Sequence, residues 1–320
     1  MDDLKETVLL WTGVSLLFIA VLTLITNGVL LFTMYHNPLR CFRDTTATYV
    51  ACLAVTDFLT GSVTAMDVGV SSLLNYMGIH SFKIKGVLHE KLLSQFTVRS
   101  GILVVVAFSF ERFLAVAFPF FYRSFLSPKK ALTCCIICCI VGLIASLLEL
   151  ILDKETFANM SYYGFFVAPL CLIVILYLLV FIAVKTKLLR APKRKIFVQK
   201  GHMISEKVRL QREVRIGMTA FYIVLGFIFS YSFWFTVVLI GANCHSCVTK
   251  SWYYACYRSS IPFLYVNSSL NPLLYAWRIS KYRRSILLVF KRNIQVYPMS
   301  RPQEQPSMEL QVVRQLVQQK

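Results

Sequence analysis

The sequence predicts an all-α membrane protein, a seven-transmembrane helix bundle followed by a short amphipathic eighth helix. Of its 320 residues, 57% are hydrophobic and only 15% are charged. The apolar residues are concentrated in long runs, which is typical of a polytopic membrane protein. Crossing the hydrocarbon core of a bilayer takes about 20 residues of helix, and seven runs are long enough. They cover approximately Val8–Met34, Thr46–Leu73, Leu92–Phe118, Ala131–Leu152, Phe165–Val184, Ile216–Ile240 and Trp252–Trp277.

These spans divide the chain into four parts. An N-terminal segment of residues 1–7 precedes the bundle, which occupies residues 8–277 and leaves little chain for a second domain. In residues 278–292, basic and apolar side chains alternate in a pattern that predicts an amphipathic helix on the membrane surface. We expect the remaining residues, 293–320, to be a disordered cytoplasmic tail.

The distribution of basic residues predicts the orientation. The loop after the fifth span and the tail after the seventh are rich in Lys and Arg, whereas the N-terminus begins with the acidic residues Asp2, Asp3 and Glu6. Because short basic loops stay in the cytoplasm, we expect an extracellular N-terminus and a cytoplasmic C-terminus in the plasma membrane. The net charge of +19 fits this topology and suits an acidic partner or anionic membrane lipids. We expect no nucleic-acid partner.

Two of the predicted extracellular loops carry sites open to modification. Asn159 begins an Asn-x-Ser sequon and is a candidate glycosylation site. Cys244 and Cys247 flank His245 in a later loop. Such a pair could bind zinc or perform redox chemistry, but in an oxidising compartment without further ligands we expect a local disulfide.

Several polar side chains lie inside the predicted spans, where they are costly and normally face the bundle interior. Asp57, in the second span, is a carboxylate among apolar residues and must be protonated, paired or bound to a cation. The first and seventh spans offer amide and hydroxyl groups as partners. One hypothesis is a single interior polar cluster, formed by Asn27, Asp57, Asn267, Ser268 and Asn271. The alternative is that Asp57 has a separate structural partner.

Two further features concern the cytoplasmic half. Glu111 and Arg112 end the third span at the membrane boundary. The arginine can extend to the interface and anchor the helix, or it can act as a switch that a carboxylate holds in only one state. In the seventh span, Pro272 lies between Asn271 and Tyr275 and frees a backbone carbonyl. We therefore expect this helix to be kinked, hydrated on one face and mobile.

Together these features resemble the rhodopsin-like (class A) G-protein-coupled receptors. The motifs that carry the resemblance are Asn27, Leu53-Ala54-x-x-Asp57, Glu111-Arg112-Phe113, Pro169 with Tyr177, and Asn271-Pro272-x-x-Tyr275. The resemblance implies an extracellular ligand that shifts the bundle to an open state, which activates a heterotrimeric G protein. It implies an activation switch made of Glu111, Arg112, Tyr177, Asn271, Pro272 and Tyr275. Further partners implied are arrestin, a receptor kinase and membrane lipids.

The resemblance also implies a sodium ion at Asp57, which would stabilise the inactive state. Gly101 stands where the family usually offers a serine hydroxyl, and this departure weakens the expected site. No other cofactor is expected.

The ligand-facing half departs from the family. Val87 replaces the cysteine that is usual at the top of the third span, and the sixth span lacks its proline. The aromatic residue that normally precedes this proline must then be replaced by Phe233 or Trp234. Other traits resemble the adenosine, melanocortin and cannabinoid branch, including the Cys244 and Cys247 pair.

The resemblance places a ligand pocket in the outer half of the bundle. The residues expected to line it are Ser94, Gln95, Val98, Phe233, Trp234, Leu264 and Tyr265. An apolar pocket with a few hydroxyls and amides suits a small, mostly neutral ligand, such as a nucleoside-like molecule or a lipid. A short peptide is the other candidate.

Two other classes of protein compete with the receptor. A transporter would use Asp57 as its ion or proton site, but the internal repeats and broken helices typical of transporters are absent from the sequence. A membrane enzyme needs clustered His, Asp or Glu at membrane depth, whereas all five histidines lie in loops or at span edges. We therefore expect no enzymatic activity.

Overall fold

The computed structural model describes residues 2–79, 87–151, 163–190, 221–222, 225–226 and 228–292, and these residues form helices and short connections without a strand. The main helices are α1 (Asp2–His36), α2 (Thr45–Tyr76), α3 (Val87–Ala117), α4 (Pro128–Ile151), α5 (Ala168–Arg190), α6 (Ile228–Asn243), α7 (Ser251–Arg278) and α8 (Ser280–Arg292). Short helices at Pro119–Phe125 and His245–Val248 lie in two of the connections, and π-helical turns occupy Thr60–Ala65 and Tyr163–Val167.

By length and composition, α1 to α5 are apolar enough to cross a membrane. Within the described residues α6 is apolar but shorter, and its predicted start at Ile216 lies outside them. The seventh helix is long enough at 28 residues, but it is more polar because it contains Arg258, Asn267 and Asn271. The order of the helices agrees with the seven predicted spans.

The first helix begins earlier than predicted, at Asp2, so the segment expected to precede the bundle is helical. Acidic side chains near a helix N-terminus interact favourably with the helix dipole. Asp2, Asp3 and Glu6 all lie in the first two turns of α1, so the residues that indicate the orientation also favour the extension of this helix.

Both prolines of α7 are compensated by side chains of α1. A proline inside a helix leaves the carbonyl oxygen four residues earlier without its amide donor. Four residues before Pro262, that oxygen accepts a hydrogen bond from the Thr12 hydroxyl at 3.2 Å. Four residues before Pro272, it accepts one from Asn27 Nδ2 at 3.0 Å. These bonds pair α1 with α7 along their length, and α1 also packs on α2.

The third helix is central and packs against α2, α4 and α5. It approaches α4 closely at Gly142, where a Cβ atom would overlap the Ser100 side chain. The larger apolar core surrounds the half of α3 that ends near α8, and we call this end of the bundle the α8 end. Its aromatic members are Tyr49, Phe108, Tyr177, Tyr275 and Tyr282.

The last helix starts at Ser280, two residues after its predicted start, because Ile279 is extended and ends α7. Lys281 forms an ion pair with Asp44 at 2.7 Å, which ties α8 to the start of α2. Tyr282 is fully buried, with its ring centre 4.8 Å from that of Phe42. The apolar side chains further along this helix, among them Leu287, Leu288 and Phe290, are exposed.

Candidate functional site

A buried carboxylate lies at the centre of the predicted polar cluster. Asp57, on α2, accepts a hydrogen bond from Asn271 Nδ2 on α7 at 2.9 Å. Ser268, on α7, lines one cavity together with Asp57. All three residues are buried. The structure therefore joins α2 to α7 through the residues that the cluster hypothesis names.

The other two predicted members contribute in different ways. Asn27 donates its hydrogen bonds elsewhere than to Asp57: Nδ2 donates to the carbonyl oxygen of Ser268 and to that of Thr23 on its own helix, each at 3.0 Å. Asn267 lines the same cavity as Asp57. The cluster thus extends over α1, α2 and α7, with the α7 backbone as an essential part.

A small cavity of about 20 Å³, room for about one water-sized group, adjoins the cluster. It lies between α2, α3, α6 and α7, and its lining combines polar and apolar side chains. The lining residues are Leu53, Asp57, Thr60, Thr97, Val98, Gly101, Val105, Tyr231, Leu264, Tyr265, Asn267, Ser268 and Asn271. The predicted polar cluster and part of the predicted ligand pocket therefore border one continuous space.

Several oxygen atoms in this cavity suit a hard cation, which prefers oxygen ligands. The side-chain oxygen Oδ1 of Asn271 is buried and makes no hydrogen bond within the described residues. It lies beside the Asp57 carboxylate and the Ser268 hydroxyl. Gly101 adds no hydroxyl from α3, but Thr97, one turn away, lines the cavity too. The donor set therefore fits a sodium ion, with Asp57 as its only charged member among the lining residues.

The aromatic residue that faces the cavity from α6 is Tyr231, whereas Phe233 or Trp234 was expected there. Phe233 instead packs its ring edge-on against Phe263 of α7, with the ring centres 5.4 Å apart. Trp234 packs against Phe166 at 5.3 Å. With 3.6 residues per turn, Tyr231 and Phe233 point to different sides of the helix. Without the proline, the sequence carries no signal for this rotation.

Among the other predicted pocket residues, Val98, Leu264 and Tyr265 line the cavity. Ser94 lies one turn from Val98, and its hydroxyl oxygen is 3.3 Å from that of Tyr265. Gln95 is half-buried and is not a lining residue. The cavity is therefore bounded towards Ser94 by the contact between α3 and α7.

At the α8 end, Glu111 and Arg112 form an ion pair. Both residues are 1% exposed, so the arginine does not extend to the membrane boundary as the anchor hypothesis requires. Its guanidinium also lies 5.7 Å from the centre of the Phe108 ring. A buried charge of this kind is tolerated because its partner and further hydrogen bonds replace the lost water.

Two partners of this ion pair were not predicted. Arg112 Nη2 donates to the Thr46 hydroxyl on α2 at 2.6 Å. The Tyr122 hydroxyl, from the short helix Pro119–Phe125, donates to Glu111 Oε1 at 2.6 Å. Burial raises the pKa of Tyr122, which keeps the phenol protonated as a donor. Thr46 lies 66 residues from Arg112 in the chain, and Tyr122 lies 11 residues after Glu111 in a separate helix, so no helical spacing in the sequence indicates either contact.

The two tyrosines of the predicted switch are buried nearby in the core. The hydroxyls of Tyr177 and Tyr275 make no hydrogen bond within the described residues. Ser109 approaches Tyr177 but donates its own hydrogen to the carbonyl oxygen of Val105 at 2.7 Å. Tyr275 packs beside Tyr282, with ring centres 6.0 Å apart. A buried hydroxyl without a partner is unfavourable, so either tyrosine would gain from a rearrangement that supplies one.

The predicted loop sites have different outcomes. Cys244 and Cys247 form a disulfide, as expected from their spacing. Asn159 lies outside the described residues, so its glycosylation stays a prediction.

A comparison with protein families agrees with the motifs and the fold. The family described as 7 transmembrane receptor (rhodopsin family) matches residues 26–160 and 154–275, well over half of the chain. This match confirms the predicted class, the all-α bundle and the multi-pass membrane location, and it gives the transporter alternative no support. The chain belongs to the rhodopsin family of seven-transmembrane receptors, the G-protein-coupled receptors.

Proposed function

We propose that this receptor lies in the plasma membrane with its α8 end in the cytoplasm, and that an extracellular ligand drives it to activate a heterotrimeric G protein. The observation that carries the proposal is the buried ion pair of Glu111 and Arg112. A fully desolvated arginine held beside a carboxylate is available to a partner protein only if the bundle opens. The closed bundle therefore keeps the Arg112 guanidinium buried, and activation would release it.

The proposed opening follows from the contacts at the α8 end. When this end of the bundle opens, Arg112 leaves Glu111 and the Thr46 hydroxyl. Tyr177 and Tyr275, whose hydroxyls lack partners in the described part of the resting bundle, can then turn towards the vacated space. A ligand can cause this shift only if it binds the open bundle more tightly than the closed one.

The polar cavity links the ligand to the switch in this proposal. Sodium bound by Asp57, Ser268 and Asn271 would stabilise the resting state, because it ties α2 to α7. The ligand would bind further from α8, against Val98, Tyr231, Leu264 and Tyr265, with Ser94 at the edge, and the small cavity of the resting bundle would widen to admit it. A mainly apolar lining with a few hydroxyls suits a small, mostly neutral molecule, nucleoside-like or lipid, or the end of a short peptide.

Other partners follow from the same surfaces. The exposed apolar side chains of α8 and its basic residues suit the cytoplasmic membrane surface and its anionic lipids. We propose arrestin and a receptor kinase as further partners of the open state. Members of the family are generally not enzymes, and we propose no enzymatic activity for this chain.

The test is nucleotide exchange on a panel of purified G proteins, with the receptor in lipid vesicles. Arg112→Ala should eliminate basal and ligand-stimulated exchange while surface expression in cells stays close to that of the wild type. Arg123→Ala, in the short helix Pro119–Phe125, is the control for the loss of a nearby positive charge. Retained exchange in the Arg112 variant would contradict the switch role.

A further inference from the structure

A second buried ion pair lies between the middle of α3 and the last turn of α4. Arg99 Nη2 donates to Glu149 Oε2, and Arg99 Nη1 donates to the Ser146 hydroxyl at 3.0 Å. The Arg99 side chain is 1% exposed and that of Glu149 is 19% exposed. Thirteen residues of helix place Arg99 about 20 Å from Arg112, so this pair is separate from the switch. It is also not part of the cavity lining.

Arg99 makes a third contact, with the turn that leads into α5. Its guanidinium carbon lies 5.3 Å from the centre of the Phe165 ring, within the range of a cation–π interaction. Phe165 belongs to the π-helical turn Tyr163–Val167, a type of irregularity that often occurs at functional sites. The guanidinium therefore contacts both α4 and the beginning of α5.

The neighbouring residue, Phe166, carries this contact on to α6. Its ring centre is 6.1 Å from that of Tyr231 and 5.3 Å from that of Trp234. Tyr231 lines the cavity together with Val98, the residue that precedes Arg99. The contacts thus close a ring from α3 through the Tyr163–Val167 turn to α6 and back to α3 at the cavity.

Stability alone does not account for charges at this position. Replacing a buried ion pair with well-packed apolar side chains is often neutral or stabilising, and α3 already packs on α4 at Gly142. A planar guanidinium, however, orients its partners in fixed directions. Here those partners are a carboxylate on α4 and an aromatic ring at the start of α5.

We propose that the Arg99–Glu149 pair is a positioning element. It holds Phe165 in place, so that Phe166 supports Tyr231 and Trp234 and sets the resting position of α6 beside the cavity. The pair thereby favours the closed bundle. Its effect on signalling depends on the proposed function, whereas its effect on the position of α6 does not.

Fluorine NMR of the purified receptor tests the positional part without ligand or G protein. The chain has four tryptophans, so labelling with fluorotryptophan gives few signals, and Trp234→Phe identifies the relevant one. We expect the Trp234 signal to shift or broaden in the double variant Arg99→Met/Glu149→Leu. Phe165→Leu keeps both charges and should change the same signal.

A matched ion pair far from α6 supplies the control. Lys281→Met/Asp44→Asn breaks the contact between α8 and α2 and should leave the Trp234 signal unchanged. A single elution peak and a cooperative unfolding transition show that each variant is folded. If the Arg99 double variant fails these criteria, Phe165→Leu decides the question. An unchanged Trp234 signal in any folded test variant overturns the proposal.

Basal nucleotide exchange tests the signalling part. In the Arg99 double variant it should rise about fivefold per receptor, the change in population that corresponds to about 1 kcal/mol. Unchanged exchange together with an active wild type contradicts a bias towards the closed bundle. If the wild type itself activates no G protein, the proposed function fails, and the Trp234 signal still decides the positional role.

Discussion

Asn27 Nδ2 donates to the carbonyl oxygen of Ser268 at 3.0 Å, and this is the oxygen that Pro272 leaves without an amide donor. The proline and the asparagine therefore form one unit, although they lie on different helices. In lipid, a backbone group without a protein partner has no water with which to form a hydrogen bond. The bond allows α7 to contain a proline at membrane depth and keeps α1 beside it.

This relationship predicts a coupled loss of stability. Asn27→Ala should lower the free energy of unfolding by about 1–3 kcal/mol, because it leaves the buried carbonyl oxygen of Ser268 without a donor. In a Pro272→Ala background the backbone amide returns, so the same substitution should have a smaller effect. Thermal unfolding of the four proteins of this double-mutant cycle measures the coupling. Equal losses in both backgrounds would show that Asn27 acts independently of the proline.

The hydroxyl of Tyr122 offers a prediction for the switch. Tyr122→Phe removes the donor to Glu111 Oε1 but keeps the ring, so it should weaken the resting ion pair and raise basal exchange about fivefold, for a loss of about 1 kcal/mol. Tyr35→Phe, at a tyrosine that is 87% exposed, is the control.

The pH dependence of this effect follows from the same burial. A phenol whose pKa is raised stays protonated above its ordinary value of about 10. The difference between wild type and Tyr122→Phe should therefore stay constant from neutral pH up to about 9. If the difference is lost as the pH rises from neutral towards 9, Tyr122 loses its proton in that range and is not the donor.

Sodium should stabilise the wild-type receptor through Asp57. Thermal unfolding midpoints, measured in sodium chloride and in choline chloride at equal ionic strength, should differ for the wild type and coincide for Asp57→Asn. Ligands that bind only the folded state raise its stability with their concentration. Thr97→Val removes a neutral oxygen from the cavity and should reduce the sodium effect without abolishing it. An equal sodium effect in Asp57→Asn would exclude this site.

Tyr282 predicts a stabilising substitution. Its hydroxyl is buried and makes no hydrogen bond within the described residues, and burial raises the pKa of the phenol well above its ordinary value. Tyr282→Phe removes the unsatisfied group and keeps the packing against Phe42, so it should raise stability by about 1 kcal/mol. A lower unfolding midpoint would instead indicate that ordered water bonds this hydroxyl.

The sequence predicts the fold well because the membrane limits the alternatives. Runs of about 20 apolar residues must span it as helices, and polar side chains such as Asp57 and Asn271 must face inward. The pairing of Glu111 with Arg112 can also be predicted from the sequence, since the two residues are adjacent. These inferences need only the local sequence and the properties of the bilayer.

Contacts that depend on helix rotation could not be predicted as well from the sequence. Tyr231 faces the cavity, where Phe233 or Trp234 was expected. Apolar residues occur on all sides of α6, so the sequence carries no signal for the rotation of this helix. Thr46 on α2 and Tyr122 on Pro119–Phe125, the partners of Arg112 and Glu111, were also not predicted. The ion pair of Arg99 with Glu149 was missed too, since fifty residues separate its members.

By itself, the sequence determined the seven spans, the polar residues buried within them and the carbonyl that Pro272 would leave unsatisfied. Lipid provides no hydrogen bonds, so each of these features required a partner inside the protein. Only the tertiary structure decided which partner that was, such as Asn27 for Ser268 and Glu149 for Arg99. Those choices depend on the rotation and separation of neighbouring helices, which are set by packing among side chains distant in the chain.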